Sequence, residues 1–384
     1  MHRLSHPIRS ALQAAGLASL IALPSAFAHD GAHSHSDEVS TATPLPFITE
    51  TKGPVSAPKK GAVAGSKTTG QGFWRFVADR TKVPVPSGAV AKLKGAHGTL
   101  IVDYATDTAY WGLQDIGWIA FTEKLAKSSI IPQDPAFPAG NLHGADLLPR
   151  KGKPAAIVAA DNAQAEVYLT DTTFQSPKIL KTPKLAPYMD DKGNILEKHG
   201  YAPTDAAFGK DGTIWITDGY GKAWFMPASS EPFQFQGQAF GGKKFSGTPH
   251  GITLNPKTGR LVVSARPEGL VKDWDPKSQH TVAIDGLPPG STVCDVDIWG
   301  DYALAPCLDG AERSPGPIYV INLKKKAVVA TLKPKADLGY EDAQHIHDAC
   351  WYISGKGRNR EVYVLFTNWN PGGVGALRLV GPGE

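Results

Sequence analysis

The chain has 384 residues, of which 41% are hydrophobic and 20% charged, which excludes a disordered polymer and a multi-span membrane protein. A formal net charge of +4 gives no warrant for nucleic-acid binding. Glycine (41) and proline (31) make nearly a fifth of the chain and accompany nine tryptophans, a composition of short strands and turns, while three cysteines without a CxxC are too few for a disulfide scaffold.

Residues 1–28 read as a secretory signal: Arg3 and Arg9 precede an apolar run from Ala11 to Leu23, and Ala26-Phe27-Ala28 is an A-x-A cleavage site. The run is too short to span a membrane, and no later segment reaches the roughly 18 apolar residues a span needs. A periplasmic or secreted protein is expected, in a compartment where a disulfide can persist. Cleavage would expose His29 at the head of His29-Asp30-Gly31-Ala32-His33-Ser34-His35, a tail whose imidazoles and free amine suit Cu(II), Ni(II) or Zn(II); a solvated tail with incidental histidines is the alternative. Residues 38–71 are rich in Thr, Pro, Gly, Ser and Lys and read as linker, so 29–71 form a disordered tail and linker.

From residue 72 the sequence repeats. Six openings align: Ala96-His97-Gly98, Leu142-His143-Gly144, Pro203-Thr204-Asp205, Pro249-His250-Gly251, Val293-Cys294-Asp295 and Ile346-His347-Asp348. Their spacing of 44 to 61 residues matches four strands and their turns. In the fourth repeat Gly251–Asn255 and Arg260–Ala265 flank a Pro-Lys-Thr-Gly turn, and Leu270–Trp274 and His280–Ile284 follow. The last repeat shows three strands only, and the unpaired segment Gly72–Asp79 can supply the missing one. The fold expected over 72–384 is all-β: a six-bladed propeller of four-stranded blades, with an N-terminal strand closing the last. A sandwich is the alternative, without an account of the period.

The start of each inner strand faces a propeller's channel. Four of the six aligned positions there are histidine, out of the ten that follow the cleavage site. His143, His250 and His347 lie on alternate blades, related by a pseudo-threefold axis. Three converging imidazoles with a fourth position open to water make the ligand set of a catalytic zinc. The expected cofactor is a divalent metal, zinc first, with copper or iron as alternatives and a structural calcium as a further candidate. His97 is a fourth ligand or a residue supporting the ligands, and His345 is a further candidate beside His347. Cys294 and Cys307 would face each other across a hairpin turning at 299–301, where a disulfide is feasible and a thiolate ligand competes. Cys350 reads as a buried small apolar residue.

The chain resembles NHL-type propellers, and among them the peptidyl-α-hydroxyglycine α-amidating lyase family. The motifs are Asn-Leu-His143-Gly, Pro203-Thr204-Asp205-Ala-Ala with Thr217-Asp218-Gly219-Tyr220-Gly221, Pro249-His250-Gly-Ile-Thr-Leu with Val263-Ser264-Ala265-Arg266, and His347-Asp348. They run in family order over about 250 residues. The resemblance implies a zinc held by the three histidines, Tyr220 as the base on a substrate hydroxyl, Arg266 as the fourth-blade arginine, and release of glyoxylate from a C-terminal α-hydroxyglycine. The chain departs from the pattern in three places. Tyr110–Asp115 holds no arginine where the family carries one, His345 stands where the family has methionine, and the paired cysteine near the Asp-Gly-Tyr loop is absent.

Two functions follow. One is a metal-dependent lyase or hydrolase, with Tyr220 and Arg266 catalytic and a small molecule or peptide as substrate. The other is a non-catalytic periplasmic copper or zinc protein for storage, sensing or delivery, favoured by the His29–His35 tail and by His345. Gluconolactonase-type propellers, whose centres hold calcium through carboxylate and amide oxygens, fit a histidine ring less well. A monomer without nucleic-acid partner or membrane span is expected.

Overall fold

The computed structural model describes residues 43–56, 58, 65–94, 96–181, 183–196, 200–242, 245–278, 280–356 and 359–382. The signal at 1–28 and the histidine tail His29–His35 lie outside the described residues. Six antiparallel sheets follow one another round a ring, their strands pairing in chain order except in the last sheet, which Phe76–Ala78 joins, and in the third, where a fifth strand, Phe240–Gly241, pairs with Trp224–Ser230, one more than the four expected. Their inner strands are Thr99–Asp103, Leu142–Leu148, Asp205–Phe208, Pro249–Leu254, Asp297–Trp299 and His345–Ser354. The first and last are neighbours, so the ring is closed. Closure is made in the last blade, where Phe76–Ala78 pairs with Gly373–Leu379, Phe76 opposite Leu379. The strand expected from Gly72–Asp79 is present, trimmed to three residues.

The strands read as continuous apolar runs because both faces of each blade are covered. Alternate residues of Ala156–Asp161 show this: Ile157 and Ala159 pack against blade one, Ala156 and Val158 against blade three. Each of the six hydrophobic clusters draws on two adjacent blades. The core is therefore a set of inter-blade seams around a polar channel. Carboxylates tie four of those seams, Asp205 and Asp348 being buried and Asp146 and Asp297 half-buried. Asp146 Oδ2 accepts from Phe208 N at 2.9 Å, Asp205 Oδ2 from Ile252 N at 2.8 Å, Asp297 Oδ2 from Trp351 N at 2.7 Å and Asp348 Oδ2 from Leu100 N at 2.6 Å. In every case the acid sits on one inner strand and the amide on the next.

The described part of the segment assigned to a linker is not a free spacer. Leu45 N donates to Gly286 O at 2.7 Å and Ile48 N to Val328 O at 3.0 Å, laying residues 44–48 along the outer strands of blades four and five. Leu45 is buried. The Glu50 carboxylate, also buried, accepts from Trp74 Nε1 at 3.0 Å, Asn322 Nδ2 at 2.8 Å and Lys325 Nζ at 2.8 Å. The Leu-Pro-Phe-Ile run at 45–48 covers two strand edges, and composition averaged over 38–71 hides it.

Candidate metal centre

Three of the channel histidines share one backbone device. The pairing of each inner strand with its neighbour slips at the histidine: between Leu142 and Gly144, between Pro249 and Ile252, and between Ile346 and Asp348. A bulge of this kind re-aims a side chain that a regular strand would send into a seam. His143, His250 and His347 are each 2% exposed, and their ring centroids lie 4.6 to 5.0 Å apart. His97 precedes its strand rather than sitting in a bulge, with its centroid 5.2 Å from His143 and 5.0 Å from His347. One ligand nitrogen from each of His97, His143 and His347 lies within 4.8 Å of the others. The four rings thus gather at one place, but among the described residues the nitrogens that come within one ion's reach are those of His97, His143 and His347, not of the expected triad with His250.

The tautomers follow from the partners. His143 Nδ1 donates to Thr204 O and His250 Nδ1 to Cys294 O, both at 2.7 Å. Each Nε2 is therefore left with a lone pair. Both lone pairs face one hydroxyl, since Tyr220 Oη is 3.1 Å from His143 Nε2 and 2.9 Å from His250 Nε2. Arg266 Nη1 donates to the same oxygen at 2.8 Å, so Tyr220 has one proton for two acceptors. His347 goes further: neither of its ring nitrogens has a hydrogen-bond partner. Burial pulls the pKa of His250 and of His347 well below the usual imidazole range, with Arg266 adding to it at His250 and His143 at His347. Buried imidazoles gathered at one place, with the charged form disfavoured at His250 and His347, are a donor set that a divalent cation fits. The cavity that His143, His250 and His347 share with Thr99, Thr204 and Asp205 is about 10 Å³, room for about one water-sized sphere.

The Tyr220 loop is knotted from below. Asp218 accepts from Ala202 N at 2.7 Å, from Lys222 N at 2.6 Å and from the Tyr188 hydroxyl. Burial raises its carboxyl to about 6. Burial also raises the Tyr220 phenol, and Arg266 opposes that shift. Arg266, 7% exposed, thus lies where a lowered phenol pKa would need it, though the guanidinium alone does not bring the value down.

Two expectations need correction. His345 is not among the clustered imidazoles. Its Nδ1 lies 3.2 Å from Leu308 O and 3.5 Å from an Asp309 oxygen, and its ring packs on Trp369. The slip between Ile346 and Asp348 breaks the alternation that would put the two rings on one face, and Asp309 raises the pKa of His345. Cys294 and Cys307 are free and do not oppose each other; Cys307 pairs with Val293, which sends the adjacent Cys294 to the other face. Cys294 is buried with its thiol raised to about 12 by burial. Cys350 is buried, as expected.

Sequence reading missed the acidic layer of the same cavity, which Asp205, Asp295 and Asp348 line. The signal is the residue after each channel position: Gly98, Gly144, Asp205, Gly251, Asp295 and Asp348. Asp146 and Asp297 lie on the same inner strands. Burial raises all five carboxyls, Asp146 to about 6 and Asp297 to about 7.

No family model matches the chain, and no curated protein does. Solved structures do. A putative gluconolactonase aligns at 13% identity over 80% of this chain and 100% of its own, with a TM-score of 0.46. A catalytically inactive virginiamycin B lyase from Staphylococcus aureus with quinupristin aligns at 12% over 82% and 100%, TM-score 0.47. A luciferin-regenerating enzyme aligns at 13% over 77% and 96%, TM-score 0.48. Likeness this distant says nothing of activity, and the propeller assignment rests on the six sheets themselves. Among the described residues no helix is long and apolar enough to cross a membrane.

Proposed function

We propose that the protein is an exported metal-dependent propeller enzyme of the lyase or hydrolase type, similar in chemistry to the amidating lyases. The observation that carries this reading is the convergence of Arg266 Nη1, His143 Nε2 and His250 Nε2 on Tyr220 Oη, at 2.8, 3.1 and 2.9 Å. His143, His250 and His347 would hold the ion, zinc first among the candidates. When bound, such an ion supplies Lewis acidity and an open coordination position.

Tyr220 is the proton carrier. With the imidazole lone pairs engaged, its hydroxyl serves the substrate, and the Arg266 guanidinium stabilises the phenolate that a proton acceptor needs. On a C-terminal α-hydroxyglycine the substrate hydroxyl would give its proton to Tyr220 Oη. A carbonyl forms, the C–N bond breaks, and the departing amide nitrogen takes the proton back. The products are glyoxylate and a peptide amide. Tyr220→Phe tests this: turnover of α-hydroxyglycine peptides or simple esters should fall by roughly 10²–10⁴ with metal content unchanged. Wild-type protein inactive on both substrate classes sinks the enzyme reading. The second reading, a copper- or zinc-binding protein without catalysis, is favoured by one observation, a cavity of about 10 Å³ beneath four imidazoles, and there Tyr220→Phe should change nothing measurable.

A further inference from the structure

The turn that carries Arg266 is tied to the segment leading into His250 by one side chain outside the site described so far. In blades two and three the second strand runs into an aspartate whose carboxylate reaches back to the loop before the channel residue. Asp161 Oδ1 accepts from Asn141 N at 3.1 Å, and Asp218 Oδ1 from Ala202 N at 2.7 Å. The second strand of blade four ends at Ala265 instead, and the next residue is Arg266. The tie is made further on in the turn, where Glu268 Oε1 accepts from Gly247 N at 2.7 Å. A backbone bond runs beside it, from Arg266 N to Thr248 O at 3.1 Å. Lys272 holds the same loop by donating to Phe245 O, with its ammonium 4.8 Å from the centroid of the Phe245 ring. The other oxygen of Glu268 is buried without a hydrogen-bond partner, a cost that a turn residue facing water would not bear.

Arg266 needs such a tie. Its side chain is buried, and among the described residues no carboxylate forms an ion pair with it. Its guanidinium donates to Tyr220 Oη, and the rest of its placement comes from the short turn between Ala265 and Leu270, which pair with each other. We propose that Glu268 is a positioning residue, which keeps the Arg266 guanidinium on Tyr220 Oη by fixing the Arg266 turn to Gly247. The inference rests on the reading of Tyr220 and Arg266 as the proton-transfer pair. Glu268 meets no reacting atom and acts through Arg266. Gly247 and Thr248 lead directly into Pro249 and His250, so the two groups of blade four that meet Tyr220 share one anchor. Blade three has the matching device, since Asp218 anchors the loop of Tyr220 itself. A shift of about 1 Å in a positioned group can cost about 100-fold in rate, which sets the scale of the effect.

The test is the crystal structure of the full chain carrying Glu268→Ala or Glu268→Gln, read beside kinetics and metal analysis. In Glu268→Ala, Arg266 Nη1 should move beyond about 3.5 Å from Tyr220 Oη, outside hydrogen-bond range. Its kcat on α-hydroxyglycine peptides should fall about 100-fold, with KM and bound metal within about twofold of wild type. Glu268→Gln, whose Oε1 still accepts from Gly247 N, should restore both the contact and the rate. A residue that only stabilised the turn would lower the melting temperature and leave Arg266 on Tyr220, and that result overturns the assignment. A Glu268→Gln protein as displaced as Glu268→Ala overturns it too. Should Glu268→Ala fail to fold, Glu268→Asp keeps the charge, withdraws the oxygen by one methylene and is read in the same way. Wild-type protein without turnover sinks the enzyme reading, while the position of Arg266 in the variant crystals still decides what Glu268 does.

Discussion

The carboxylate of Asp205 fills the space that a side chain at Gly144 would need: a Cβ there would come within 2.3 Å of Asp205 Oδ1 and 2.6 Å of Thr204 O. Gly251 stands in the same relation to Asp295, at 2.3 Å from Oδ1. Gly after histidine on one blade and Asp on the next are thus two halves of one contact. Gly144→Ala should destabilise the protein by about 1–3 kcal/mol through overpacking. Because Thr204 O also anchors His143 Nδ1, it should lower metal affinity as well. Thermal unfolding and a metal titration on one preparation check both effects.

The ligand set separates His345 from its neighbours. His143→Ala, His250→Ala and His347→Ala should each cut metal affinity by at least about 100-fold, beyond the range seen for residues that only support a ligand. His345→Ala should leave it unchanged, since that ring is engaged with Asp309 and Leu308. Equal losses across all four would place the ion elsewhere.

Asp218→Ala removes the acceptor for two backbone amides and the Tyr188 hydroxyl. Leaving those buried donors unmet should cost about 2–4 kcal/mol. The same variant should impair any Tyr220-dependent turnover while the bulge histidines keep their metal. Tyr188→Phe, which removes one donor and strands nothing, should be much milder.

Asp297 gives the fold a pH dependence of definite sign. In the unfolded chain this carboxyl ionises near pH 4, while desolvation at the seam between blades five and six raises it to about 7 in the folded protein. Between those values the folded state binds more protons, so this stability is present below pH 4 and is lost as pH rises toward 7. Asp297→Asn keeps an oxygen for Trp351 N and removes the charge. It should raise the melting temperature at pH 8 but not at pH 4, flattening the profile between. A uniform shift at both pH values would show that the buried charge is not the cause.

The ring was legible because both its signals are local. Turn chemistry such as Pro256-Lys257-Thr258-Gly259 marks hairpins, and the recurrence of His-Gly or its replacement marks each blade's start. The convergence of His143, His250 and His347 follows from that register alone. The bulges do not, because a slipped pair depends on the neighbouring strand rather than on any residue in the run. His345 was over-read for the same reason: two positions along a strand is one face in a regular ladder, and the slip between Ile346 and Asp348 breaks that parity. The acidic layer hid behind its own sequence context, since Asp beside Thr, Cys or His near a strand end reads as turn chemistry. Glu50 was invisible because its partners, Asn322 and Lys325, are supplied by a blade far along the chain.

The closing strand links the centre to the completion of the polypeptide. His97 and His347 become neighbours only when the first blade meets the last, and the last blade is finished by pairing Phe76 with Leu379. A chain lacking its final segment still carries every imidazole of the cluster in its sequence, yet has no ring to hold them at ligand distance. Gathering the imidazoles is therefore conditional on the pairing of Phe76–Ala78 with Gly373–Leu379.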